Sequence, residues 1–179
     1  MTEEQIDRVK QLIEEFRIFN DVGFINMVDW AVSEAPGTEY DKLTQAINNP
    51  CGTAACIAGK AGLMQVFRDQ GFKWCFRNDG FSIEPQEFFG EETYNCVFIG
   101  TWCSEHVHTP THAVLVLEDF LRQWDQALND GKVANFNHYW EPEASVVKMI
   151  YESRPDVKEF PASQITMISY EDGLGYWEM

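Results

Sequence analysis

The chain has 179 residues, 45% of them apolar and 14% aromatic, and a formal net charge of −16 from 13 basic and 29 acidic side chains. That length and apolar content suit one domain over residues 1–179 with a real core, and they exclude a disordered chain. The charge speaks against direct contact with nucleic acid or an anionic membrane, whose phosphates it repels.

The opening Met-Thr-Glu-Glu-Gln is acidic and polar, unlike a signal peptide, and no apolar run reaches the roughly 18 residues that span a bilayer. Five cysteines, an odd number, suit free thiols in a reducing compartment, so the expected location is the cytoplasm.

In chain order, Ile6, Val9, Ile13 and Phe16, widened by Leu12 and Phe19, form the apolar stripe of a helix over about 3–19. Glu3, Glu4 and Asp7 sit favourably at its start, and residues 21–23 break it. A short helix or turn over 26–32 buries Trp30, a loop covers 35–37, and another short helix spans 40–48. Pro50 stops that element, and a helix follows over 51–68 with Thr53 as its N-cap.

Residues 72–76 alternate, Asp79-Gly80 has hairpin turn chemistry, and 81–83 resume an extended pattern. A lone hairpin is marginal in water, so a third strand over 164–170 is a candidate partner. Two short helices over 85–89 and 91–99 hinge at Gly90. Thr109-Pro110 opens a longer helix whose face carries Ala113, Leu117, Leu121, Trp124 and Leu128, and Asp130-Gly131 ends it. Pro142 opens a shorter helix with Val146, Met149 and Ile150, and Arg154-Pro155 stops it. Residues 161–179 are the least regular. The expected fold is mainly α (α+β): a helical bundle-like core with a small β-hairpin, extended to a short three-stranded sheet if 164–170 joins it.

Asn26-Met-x-x-Trp30, Cys51-Gly-Thr-Ala-Ala-Cys-Ile-Ala-Gly59, the Phe88-Phe-Gly90 helix pair and Thr109-Pro-x-x-Ala113 follow one another in order. Over about 24–130 this resembles a broad family of small bacterial and bacteriophage proteins with no assigned activity. The resemblance implies a mostly helical core over about 1–130 and a phage origin, and it assigns no catalytic residues. Residues 131–179 lie beyond the pattern as an acidic extension rich in aromatic residues.

The charge is uneven: residues 1–80 hold 8 basic and 12 acidic groups, and 81–179 hold 5 and 17. Acidic groups keep a chain soluble, and they also attract a basic protein groove, with aromatic anchors supplying binding energy. The expected function is therefore non-catalytic binding to a basic protein surface. With the family resemblance, this becomes a phage-encoded inhibitor of a host nucleic-acid-handling or defence complex, at work in the host cytoplasm. Trp140, Glu141, Glu143, Glu171, Asp172, Tyr176 and Trp177 are the candidate partner-binding residues, with most other rings in the core.

An alternative is a small-ligand or anion-binding module, or a cysteine-dependent enzyme, at the helix start over 51–59. Gly52 and Thr53 could cradle an anion there, and the helix terminus would favour a Cys51 or Cys56 thiolate. A Cys–His pair with His112 or His138 is also open. The chain has no Gly-x-Ser-x-Gly elbow, zincin motif, dinucleotide fingerprint or kinase signature, so the balance is against an enzyme. Cys103, His106, His108 and His112 are of metal-ligand type, but a polar loop is the default reading of their spacing. No cofactor or metal is expected.

Overall fold

A computed structural model describes residues 1–18, 56–72, 76–77, 80–81 and 84–153. The elements expected over 21–48, the third strand over 164–170 and the irregular segment over 161–179 lie outside these residues.

Helix α1, Glu3–Ile18, buries Val9, Leu12, Ile13 and Phe16 as its stripe requires. Its start is a reciprocal cap. The Gln5 main-chain N–H donates to Thr2 Oγ1 at 3.2 Å, and the Thr2 N–H donates to Gln5 Oε1 at 2.9 Å.

Of the helix expected over 51–68, residues 51–55 lie outside the described residues, and the described part is broken. Helix α2, Ile57–Leu63, is capped by Cys56, whose sulfur accepts the Gly59 N–H at 3.2 Å. Cys56 is extended (φ −66°, ψ 173°), so within the described residues the helix starts after it and Thr53 is not the cap of α2. Met64 is also extended (φ −80°, ψ 125°) and separates α2 from α3, Gln65–Asp69. Gly59 and Gly62 weaken α2, and Arg68 from α3 donates to the Gly62 carbonyl at 3.2 Å.

Phe76–Arg77 pairs antiparallel with Gly80–Phe81, two residues on each side. The other described elements are helices, and the fold is mainly α.

Helix α4, Glu84–Phe89, turns at Gly90 into α5, Glu91–Thr93, as the hinge predicts. The expected second helix does not stay α-helical: residues Tyr94–Phe98 form a π-turn, closed by Ile99 N–H donating to the Tyr94 carbonyl at 3.0 Å. A Cβ at Gly100 would overlap the Cys96 carbonyl, so the chain leaves that turn through a position only glycine fits. Helix α6 is Thr101–His106.

Helix α7, Pro110–Asp130, starts as expected, with Thr109 Oγ1 accepting the His112 N–H at 3.2 Å and Pro110 in the first turn. It ends at Gly131 (φ +69°), where Lys132 N–H reaches the Ala127 carbonyl at 2.8 Å in a Schellman arrangement. Its buried face is Ala113, Val116, Leu117, Phe120 and Trp124. Leu121 is half-buried and Leu128 is 47% exposed. At about 100° per residue, both point roughly 60–80° away from Ala113.

A 3₁₀ turn, Val133–Asn135, leads into α8, Phe136–Tyr139, and then α9, Ala144–Glu152. Helix α9 buries Val146 and Ile150 but leaves Met149 exposed.

Helix α1 packs along α7, with α9 also against α7 and α4 against α1. One apolar core joins them, with Leu12, Phe16, Phe67, Phe89, Leu117 and Phe120 fully buried. Phe89 meets Phe67, Phe88 and Phe98 edge to face, with centroids 4.9–5.5 Å apart.

Candidate functional site

Cys51, Gly52 and Thr53 lie outside the described residues. Cys56 is buried with its sulfur on the Gly59 N–H, so it faces the core. The helix it caps has seven residues, too short for a strong dipole at its start.

The histidine segment is built into the packing. His112 is buried on the first turn of α7. Its Nδ1 accepts the His108 main-chain N–H at 3.3 Å, so in the neutral ring Nε2 carries the hydrogen and donates it to Ser153 Oγ at 2.8 Å. Ser153 gives its own hydroxyl hydrogen to the Ile150 carbonyl at 2.8 Å. The serine proton thus points away from the imidazole, the reverse of a nucleophile–base pair. His106 packs at a tilt between Trp102 and Tyr151, with centroids at 4.8 and 5.4 Å. The Cys103 thiol is fully buried and directed at the Cys96 carbonyl, 3.7 Å away. Among the described residues no three His, Cys, Asp or Glu side chains are grouped to hold a metal ion. The His138 side chain lies outside the described part.

Burial pushes the Cys96 thiol up to about 12, helped by the nearby Glu92 charge. Burial raises Cys103 as well, with Cys96 adding to it. Both thiols stay protonated near neutrality, so neither is a ready nucleophile.

Of the nominated partner-binding residues, Glu171, Asp172, Tyr176 and Trp177 lie outside the described residues. Trp140 is 8% exposed and packs edge to face on Phe120 at 5.6 Å, so its ring serves the core. Glu141 and Glu143 are exposed, but a buried carboxylate ties their backbone to α7. Asp119, 4% exposed, accepts from Arg122 at 2.5 Å, from Gln123 Nε2 at 2.9 Å and from the Glu143 N–H at 2.9 Å. Gln123 also donates to the Glu141 carbonyl at 2.9 Å, and Arg122 pairs with the Glu143 carboxylate at 2.7 Å.

A different acidic feature stands at the Gly90 turn. Two adjoining clefts, of about 650 and 500 Å³, share Met1, Glu91 and Glu92 in their walls. The larger adds Thr2, Gln5, Gln86 and Glu87. The smaller sets Trp124, Leu128, Val133 and Phe136 beside Asn137. Gly90 (φ +98°, ψ 146°) adopts a conformation open only to glycine, and a Cβ there would meet Met1 Cγ at 2.8 Å. Helix α1 holds the rim in place. Gln5 donates to the Glu87 carbonyl at 2.9 Å, and Arg8 donates to the Phe88 carbonyl at 3.0 Å while lying over its ring. Sequence reasoning missed this site. Its signal was available in Glu87-Phe-Phe-Gly-Glu-Glu92, three carboxylates flanking a glycine break.

No protein-family model, curated protein or solved structure matches the chain. Among the described residues no helix is long and apolar enough to cross a membrane.

Proposed function

We propose that the protein acts by binding a basic surface of another protein, without catalysis. The observation that carries this is the acidic double cleft at Gly90, where Glu91 and Glu92 border the apolar side chains of the smaller cleft, Glu87 lines the larger, and no lysine or arginine among the described residues lines either. Complementary charge steers the encounter and fixes register, while the apolar side chains contribute burial. The net charge of −16 keeps nucleic acid and anionic lipid at a distance and suits a partner whose own surface normally meets phosphate. Together with the resemblance over residues 24–130, this reading extends to a phage-encoded inhibitor in the host cytoplasm. The protonated, buried thiols of Cys96 and Cys103 favour binding over thiol chemistry.

The finer architecture belongs to the same proposal. The helices form a bundle-like core, and the pairing of Phe76–Arg77 with Gly80–Phe81 is the centre of a small hairpin.

The test is capture of partners by the tagged, full-length chain from nuclease-treated bacterial lysate, washed at low salt and at about 0.5 M, where screening shortens electrostatic reach to a few ångströms. A stoichiometric basic partner released by salt is the expected result. A neutral or acidic partner, or binding indifferent to salt, overturns the proposal.

A further inference from the structure

We propose that the paired clefts at the Gly90 turn receive an extended segment of the partner in which lysine or arginine alternates with an aliphatic residue. This rests on the basic-partner reading above and says where and how such a partner is held.

The rim charge is available. Glu92 lies 3.4 Å from the Met1 amine, while Glu87 and Glu91 are exposed and have no ion partner among the described residues. Glu91 borders both clefts and Glu87 lines the larger, while the charge of Glu92, which also borders both, is offset by the Met1 amine beside it. An occupant therefore meets carboxylates at two stations, which suits a segment with several cations better than a single small amine.

The smaller cleft selects the aliphatic part. Leu128 projects from the end of α7, 47% exposed, beside Trp124 and Phe136 in the smaller cleft. An exposed leucine next to two largely buried rings offers apolar area to a leucine-sized side chain and to the methylene stem of a lysine or arginine.

The walls are set in advance. Trp124 and Phe136 meet edge to face at 5.1 Å, and the α4 rim is held by Gln5 and Arg8 from α1. A preorganised cleft loses little entropy when it orders a guest.

The probe is the blocked pentapeptide acetyl-Lys-Leu-Lys-Leu-Lys-amide, with its glutamate-for-lysine counterpart as control, titrated into the ¹⁵N-labelled full-length chain. Trp124→Phe identifies the Trp124 indole signal, and the Trp140 signal reports intact packing. The expected result is a saturable shift of the Trp124 signal with the lysine peptide alone, weakened about fivefold or more in Glu87→Gln/Glu91→Gln. An unmoved Trp124 signal at millimolar peptide, or unchanged affinity in the double variant with its Trp140 signal in place, overturns the proposal. The two proposals fail separately. A lysate partner captured equally well by Glu87→Gln/Glu91→Gln and by Leu128→Ser removes the cleft but keeps the basic-partner reading. A peptide shift with no basic partner in the lysate removes that reading and keeps the cleft.

Discussion

Glutamates 141 and 143 and glutamates 87 and 91 look alike in the sequence, each a pair of acids beside aromatic residues, yet their surroundings differ. At the first pair, Asp119 and Gln123 hold the main chain, and Arg122 reaches the Glu143 carboxylate at 2.7 Å. At the second, hydrogen bonds from α1 hold the main-chain carbonyls of residues 87 and 88, and the carboxylates themselves take no ion partner among the described residues. One region uses acidity to join helices, and the other leaves it facing a cleft. Acidic content alone is therefore a poor guide to where a basic partner docks. What counts is whether a neighbouring cation has already taken the charge.

The largest effect that tests this contrast is at Asp119. Replacing it with Ala orphans the Glu143 N–H and removes an acceptor from Arg122 and Gln123. A loss of about 2–4 kcal/mol in urea unfolding is expected. A loss below about 0.5 kcal/mol would mean that the junction is not held by this carboxylate.

Gly90→Ala comes next. It must adopt a positive φ and press against Met1, so about 1–3 kcal/mol is expected, with the Trp124 indole signal displaced as the clefts distort. Wild-type stability would dissolve the claim that this turn shapes the site.

The thiols predict a pH dependence. Cys96 is raised in the folded state from 9.0 to about 12. A folded value above the unfolded one gives stability that is complete below about pH 9 and is lost as pH rises toward 12. The urea midpoint should therefore fall between pH 8 and pH 10, and less so in Cys96→Ala relative to its own pH 8 value. In the native chain at pH 8, iodoacetamide should label Cys96 and Cys103 only as fast as the chain unfolds.

The smallest effect belongs to the cleft. Glu87→Gln/Glu91→Gln should leave stability within about 0.5 kcal/mol of wild type, because exposed charges without partners hold nothing together. A large loss would show that these carboxylates are structural, like Asp119, and would erase the contrast.

What was legible in the chain was set by neighbours a few residues apart. The stripe of α1, the break at Gly90, the Thr109-Pro110 start and the Gly131 stop each follow from side-chain period, capping or backbone freedom, which act within one or two helical turns. The Thr2–Gln5 cap was equally local and was readable from its spacing. Tertiary contact decided the rest. Cys56 and Met64 are extended where helix was expected, and Arg68 fills a carbonyl freed at the break. The π-turn at 94–98 packs its Cys96 carbonyl against Gly100. Trp140 is buried because Phe120, twenty positions earlier on α7, presents a ring to it. Charge follows the same division: the sequence counts 29 acids, but only the packing of α1, α4 and α7 determines which of them meet a cation and which border a cleft. Local propensity acts through adjacent backbone, whereas burial and ion pairing depend on residues that only the fold brings together.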